Sequence, residues 1–288
     1  MELKQSVLEL IRRAAVDLSP DVEKALVDAF NREDEGAPAK NVMKTILENV
    51  VMARKENSPM CQDTGTLIFY IDYPQGESEK NFREAIEKAA IEATDLQYLR
   101  PNAVHSITGK NSGNNIGINH PFFHFHQWEK PETRIRVMLK GGGSENVGTQ
   151  YKLPYPPLKA GRDLKGVRKL VIDAVVQAQG QGCAPGIIGV CIGGDRVASY
   201  MLSKEQFFRK IGQRHPDKVL ADLEIDLYES LNKLGIGPMG FGGKTTVLDV
   251  FLEAQHRHPA SFFVAVSYTC WAFRRKSMTI KNGEVTYD

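Results

Sequence analysis

Gly186-Ile187-Ile188-Gly189-Val190-Cys191-Ile192-Gly193-Gly194 is apolar from end to end. An apolar run without polar alternation predicts a strand buried on both faces, and such a strand needs helices on either side of its sheet. The flanks supply them. From Leu164 to about Gln181, Leu170, Ala174, Val175 and Ala178 recur at helical spacing, and helices are predicted again over about 198–234. Cys191 inside the run reads as a packing thiol. Cys183, at the helix-to-strand turn, is the better ligand candidate.

Working outward, Val7, Leu8, Ile11, Ala14, Ala15 and Leu18 predict an amphipathic helix. Ser19-Pro20-Asp21 opens a second helix to about Phe30, residues 31–40 read as a loop, and Val42, Ile46, Val50 and Val51 begin a third. Leu67-Ile68-Phe69-Tyr70-Ile71 predicts a buried strand, followed by a turn at Tyr73-Pro74-Gln75-Gly76 and a helix from about Lys80 to Thr94. Further strands are predicted at 122–128, 135–140 and 262–269, with a closing hairpin around Asn282-Gly283. The prolines between Tyr151 and Leu158 argue against regular structure there. The fold class is α/β, with mixed sheets, flanking helices and a helical N-terminal region. The 288 residues suit one large domain or two lobes, the boundary in the second case falling near 150–165.

Composition narrows the function. Lys+Arg 37 against Asp+Glu 35 gives a formal charge of +2, with no nucleic-acid footprint. No apolar stretch approaches the ~20 residues of a membrane helix, and the charged N-terminus lacks a signal-peptide core. Four cysteines in 288 residues argue for reduced thiols or metal ligands in a cytoplasmic setting.

Chemistry concentrates in Ser58-Pro59-Met60-Cys61-Gln62-Asp63-Thr64-Gly65-Thr66, a polar loop delivering a thiol and a carboxylate to a sheet edge. Taken alone, Cys61 reads as a half-buried thiol beside a turn aspartate. Cys61, Cys183 and Cys270 nevertheless share a context, each at the end of a helix or strand beside glycine or polar residues. None has C-x-x-C spacing, so zinc-ribbon and ferredoxin patterns are absent. Three thiolates could hold a [4Fe–4S] cluster and leave one iron open as a Lewis acid. A non-catalytic iron–sulfur redox or sensor module, or a metal-free scaffold, would use the same thiols. Residues 108–115 and Gly141-Gly142-Gly143 are candidate anion or substrate loops. Gly243-Lys244-Thr245 imitates a phosphate loop, but Pro238 stands where the motif needs glycine and a helix precedes it. His124 and His126 share one face of a predicted strand and read as structural.

Cys61-Gln62-Asp63-Thr64-Gly65-Thr66, Lys140-Gly141-Gly142-Gly143-Ser144, Leu234–Gly240 with Gly243-Lys244-Thr245-Thr246, and Cys270-Trp271-Ala272 resemble the N-terminal half of the class I (iron–sulfur) fumarase family, which includes L-tartrate dehydratases. The motifs run in family order. The resemblance implies an iron–sulfur hydro-lyase α-domain over 1–288, with Cys61, Cys183 and Cys270 as ligands of a [4Fe–4S] cluster. It implies Asp63 as one member of the acid/base pair, and Gln62, Arg100, Gly141, Gly142 and Gly143 as contacts to a small dicarboxylate. The family's other catalytic groups lie on a C-terminal domain that is absent here. A β subunit carrying that domain is therefore implied, in an α2β2 hetero-oligomer. The expected reaction is hydration of fumarate to malate, with L-tartrate dehydration as the alternative.

Overall fold

The structure is a computed structural model that describes residues 2–288. In chain order it begins α1 (Leu3–Val16), α2 (Pro20–Arg32), α3 (Pro38–Glu56), β1 (Thr66–Pro74) and α4 (Glu79–Asp95). Then come β2 (Phe122–Trp128), β3 (Thr133–Lys140), the short α5 (Gly142–Asn146), β4 (Thr149–Lys152) and α6 (Leu164–Ala178). The last third holds β5 (Gly186–Ile192), α7 (Arg196–Glu205), α8 (Lys218–Asn232), β6 (Val247–Ala254), β7 (Phe263–Thr269), β8 (Arg275–Lys281) and β9 (Glu284–Tyr287). The class is mixed α/β with a helical N-terminal region and two mixed sheets. Among the described residues, no helix is long and apolar enough to cross a membrane.

Two units share the chain. One comprises Met1–Ser19, Glu48–Gly142 and Ala272–Asp288, the other Pro20–Leu47 and Gly143–Trp271. The backbone thus passes between them at four points, whereas the sequence suggests one boundary near 150–165.

The first unit is built on a five-stranded sheet in the order β2-β1-β3-β8-β9, with β1 parallel to β2 and antiparallel to β3. Period-two alternation puts Leu67, Phe69, Ile71, Tyr73, Ile135, Val137 and Leu139 in one core with Val7, Leu10 and Ile11 of α1 and Phe82, Ile86 and Ala90 of α4. On the other face Asp72, buried, stands opposite His126 and Arg134 in the ladder. Its carboxylate meets His126 Nδ1 at 3.2 Å, Arg134 at 2.9 Å and Arg136 at 3.2 Å. His124 stacks on Tyr70 with ring centroids 4.4 Å apart. Both histidines therefore belong to contacts of this sheet face. The closing hairpin has Asn282 and Gly283 at φ 51° and 79°, the two-residue turn in which both central residues take positive φ.

The second unit has the four-stranded sheet β4-β7-β5-β6. Every residue of β5 is buried, as the apolar run predicts. Ile188, Val190 and Ile192 pack with α6 and α8 through Leu170, Val171, Val175, Leu227 and Leu231. The opposite face admits α7 closely, because Gly189 has no side chain: a Cβ there would stand 2.1 Å from the Ser203 carbonyl oxygen. Cys191 is fully buried, and burial pushes its thiol up to about 11.

Some local expectations are corrected. The loop placed over 31–40 is shorter, since α2 runs to Arg32 and α3 starts at Pro38, where the missing N–H of proline costs nothing. β1 continues through Tyr73 and Pro74, placed in a turn from sequence. Gly142–Asn146 is a short helix. Tyr151 and Lys152 lie in strand β4, which pairs with β7 and ends before the first of the prolines. β6 has no predicted counterpart, because Asp249 interrupts its apolar pattern. That carboxylate is buried and accepts from Gly212 N at 2.7 Å and Arg214 Nη1 at 2.7 Å.

Two measurements check this packing. Gly189→Ala is expected to lower the free energy of unfolding by about 1–3 kcal/mol through overpacking. Gly117→Ala, whose nearest neighbour would be 4.0 Å away, is expected to stay within about 0.5 kcal/mol in the same urea titration. Because the thiolate is the reactive form, Cys191 should resist alkylation at mildly alkaline pH until urea is added, while the half-exposed Cys61 and Cys183 react in the native protein. Native labelling of Cys191 would contradict its placement.

Candidate active site

In the first unit the site grows from the end of the β1–β3 ladder, where Thr66 lies opposite Lys140. The residues preceding β1 there meet those following β3. Gly65 takes φ +84°, and a Cβ on it would lie 2.7 Å from the Leu139 carbonyl carbon, so only glycine lets the loop pass. Asp63 is exposed but held. Its Oδ1 accepts from Gly65 N at 2.9 Å, its Oδ2 from Gly142 N at 2.7 Å, and its carbonyl from Arg274 Nη1 at 2.6 Å. Gly141 completes the seat: a Cβ there would stand 3.2 Å from Asp63 Oδ2. The arrangement presents a carboxylate whose orientation is fixed by main-chain donors, as a group that gives and takes a proton at a set position must be.

The neighbouring Thr64 ties the loop to the amide-rich segment. Its buried hydroxyl accepts from Arg100 N and Asn102 Nδ2, both at 3.0 Å. Asn115, also buried, accepts from Asn102 N at 2.8 Å and donates to the Arg100 carbonyl at 2.8 Å. Arg100 is thereby anchored through its backbone while its side chain is exposed. Of the residues singled out from sequence, Asp63, Gly141 and Gly142 come together directly, and Arg100 is joined to them through Thr64. Cys61 and Gln62 precede Asp63 on the same loop, Cys61 half-buried and Gln62 exposed. No role is assigned from sequence to Arg274, Thr64, Asn102 or Asn115, although Thr64 stands inside the Cys61–Thr66 run. The density of amides over 108–115 is the one hint of Asn115.

In the second unit Cys183 and Cys270 sit at one end of the β5–β7 pair, where Ile187 lies opposite Thr269. Trp271 N donates to the Cys183 carbonyl at 3.2 Å, which sets the two thiol-bearing segments side by side. Cys183 adopts φ +56° in the turn after α6. Gly182 and Gly186 make a slot for the Tyr268 ring: a Cβ on either would lie 2.5 Å or less from a ring carbon. The Tyr268 hydroxyl is buried without a hydrogen-bond partner, and its ionisation is pushed up by burial first and then by Cys270 and Cys183. A donor left unmatched beside two thiols suits thiolates, which accept hydrogen bonds and are the ligands of iron–sulfur groups. In donor chemistry these residues therefore fit such a group. Among the described residues, no three His, Cys, Asp or Glu side chains are grouped as a metal-ion site.

Gly143 and the glycine-rich loop also belong to the second unit. Gly143 would bring a Cβ to 3.4 Å from the Gln181 carbonyl oxygen. In the loop, Lys244 N and Thr245 N donate to the buried Glu33 carboxylate at 2.9 Å each. Thr246 N donates to Asn232 Oδ1 at 2.8 Å and the chain enters β6.

A family model described as Fumarate hydratase (Fumerase) matches residues 4–279. A protein of Geobacillus stearothermophilus named "Putative fumarate hydratase class I" is 48% identical over 289 residues, covering 99% of this chain and 56% of that protein. This chain thus spans little more than half of that relative. A Methanocaldococcus jannaschii protein named "Putative L(+)-tartrate dehydratase subunit alpha" is 37% identical, covering 98% of both chains. The L(+)-tartrate dehydratase subunit alpha of Escherichia coli K12 is 32% identical over 93% of this chain and 86% of its own length. With nearly its whole length matched, the chain belongs to the fumarate hydratase family, a family of hydro-lyases.

Proposed function

We propose that this chain is the α subunit of an iron–sulfur-dependent hydro-lyase that adds water reversibly across the double bond of fumarate. The observation that carries the reading is the seat of Asp63, a carboxylate oriented by two main-chain N–H groups within a chain of this family. In hydration a hydroxyl goes to one alkene carbon and a proton to the other, the carbon α to a carboxylate. Asp63 is one member of the acid/base pair that makes these proton transfers in both directions. Arg100 and Gln62 bind the substrate carboxylates, with a planar guanidinium suited to bidentate pairing. Gly141, Gly142 and Gly143 are the further proposed contacts to the dicarboxylate, and Gly142 N also donates to Asp63.

Cys61, Cys183 and Cys270 are the proposed ligands of a [4Fe–4S] cluster, with Cys191 left as a packing thiol. Bound there, the cluster would supply a Lewis acid for the substrate hydroxyl. Such thiols need a reducing compartment, and the cytoplasm is the location proposed on that ground. The relatives named subunit alpha, and the Geobacillus protein of which this chain matches 56%, support a β subunit carrying the remaining catalytic groups; the assembly proposed for the pair is α2β2. The fumarate assignment rests on the 48% identity to the protein named for that activity. L-tartrate dehydration is the second reading, favoured by the 98% mutual coverage with a subunit named for it.

Co-expression under anaerobic conditions with a β chain sought beside this one in its genome tests the proposal. Cys61→Ser, Cys183→Ser and Cys270→Ser are each expected to lose iron, and Cys191→Ser to keep it; the opposite pattern would reassign the ligands. Asp63→Asn should lower kcat by about 10²–10⁴ with little change in KM. The chain without its partner should hydrate fumarate negligibly, and full turnover by the isolated chain would sink the half-site reading.

A further inference from the structure

We propose that Arg274 is a positioning residue for Asp63, an inference that rests on the acid/base role proposed above. Arg274 lies between the candidate thiol Cys270 and β8, at a place where no motif marks it. Its side chain is 1% exposed, the largest side chain in the fully buried set. A guanidinium stays charged at every accessible pH, and burying it is costly unless something specific is gained. Here its hydrogen bond goes from Nη1 to the Asp63 carbonyl at 2.6 Å, and its Nε has no acceptor. An arginine present for packing alone would be replaced at less cost by an apolar side chain of similar volume.

The same residue braces the other half of the seat. Its main-chain carbonyl accepts from Leu139 N at 3.0 Å, which extends the pairing of β3 with the β8 strand toward Gly141. Its Nη2 would lie 3.6 Å from a Cβ on Gly141, the point that is also 3.2 Å from Asp63 Oδ2. Arg274 thus contacts both segments that define where the carboxylate stands: the loop bearing Asp63 and the β3 exit that supplies Gly142 N. Without it, the Asp63 main chain loses its one charged donor, and the two carboxylate hydrogen bonds must hold an otherwise loose loop. Arg274 acts through Asp63 and is not required to touch substrate.

The test compares Arg274→Gln, Arg274→Lys and Gly141→Ala in the full complex with its partner. Hydrogen exchange read by mass spectrometry on the segments holding Gly65 and Gly142 gives a measure independent of turnover. Arg274→Gln should lose protection in those two segments while β1 and β3 keep theirs, and kcat should fall about a hundredfold at nearly constant KM. Arg274→Lys, which keeps a charged donor, should recover part of both. Gly141→Ala should give the same kcat signature by displacing Asp63 Oδ2, with Arg274 in place. Unchanged protection and kcat in Arg274→Gln would overturn the proposal. So would a rise in KM at constant kcat, which marks a substrate contact, or global unfolding of both the Gln and Lys variants, which marks a fold-wide role. If the wild-type complex hydrates neither fumarate nor tartrate, the hydro-lyase reading fails, whereas the exchange comparison still decides whether Arg274 holds Asp63.

Discussion

The candidate site depends on the register of β1 against β3. With Thr66 opposite Lys140, the ladder ends so that Asp63 and Gly65 on one side meet Gly141 and Gly142 on the other. A slip of one residue would turn every side chain of β1 to the opposite face and part Asp63 from Gly142. The two hydrogen bonds to the carboxylate are worth about 1.5–3 kcal/mol each at most. Leu67, Phe69, Ile71, Ile135, Val137 and Leu139 are all buried in the core beneath the sheet, at about 1.5–3 kcal/mol per side chain. Packing therefore sets the register, and the geometry of Asp63 follows from it. The loop that carries Asp63 need not find its own position.

The second unit repeats the device with different chemistry. β5 and β7 are antiparallel, Ile187 opposite Thr269, so the segment entering β5 and the segment leaving β7 share one end of the sheet. Cys183 and Cys270 lie in those two segments, and the Trp271 N bond to the Cys183 carbonyl joins them. Glycine at 182 and 186 admits the Tyr268 ring, whose strand leads directly to Cys270. In both units the candidate side chains leave the sheet at strand ends, where backbone is released from pairing while its anchor stays rigid.

What the sequence reveals about these features follows from range. β5 was legible because burial on both faces leaves an unbroken apolar run, and the Asn282-Gly283 hairpin because its turn demands those residues locally. β6 was hidden by Asp249, whose carboxylate is balanced by Arg214, 35 residues away. The site was half legible for the same reason. Asp63 and the thiols stand in short, unusual runs. Arg274 acts across 211 residues, on a main-chain carbonyl that no side-chain pattern announces. The Thr64, Asn102 and Asn115 network is likewise a set of ordinary polar residues until the chain brings them together.

The glycine-rich loop shows why motif and mechanism part company. Gly243-Lys244-Thr245 has the glycine, lysine and hydroxyl that cradle a phosphate elsewhere, and its main-chain N–H groups do converge on an anion. That anion is Glu33, 4% exposed and fixed by the fold. Gly243, at φ +123°, would bring a Cβ to 2.6 Å from the Ala39 side chain and 2.7 Å from Glu33 Oε2, so its glycine serves contact with α3 and with the carboxylate. A phosphate arriving here would meet a buried like charge already bound to the donors it needs, and displacing that charge would leave it unpaired. The lysine, too, is turned away from any such role, since its Nζ pairs with Asp34. What looks like a nucleotide loop is thus a strap, closed by an internal carboxylate, that leads the chain into β6 beside the strand that follows Cys183.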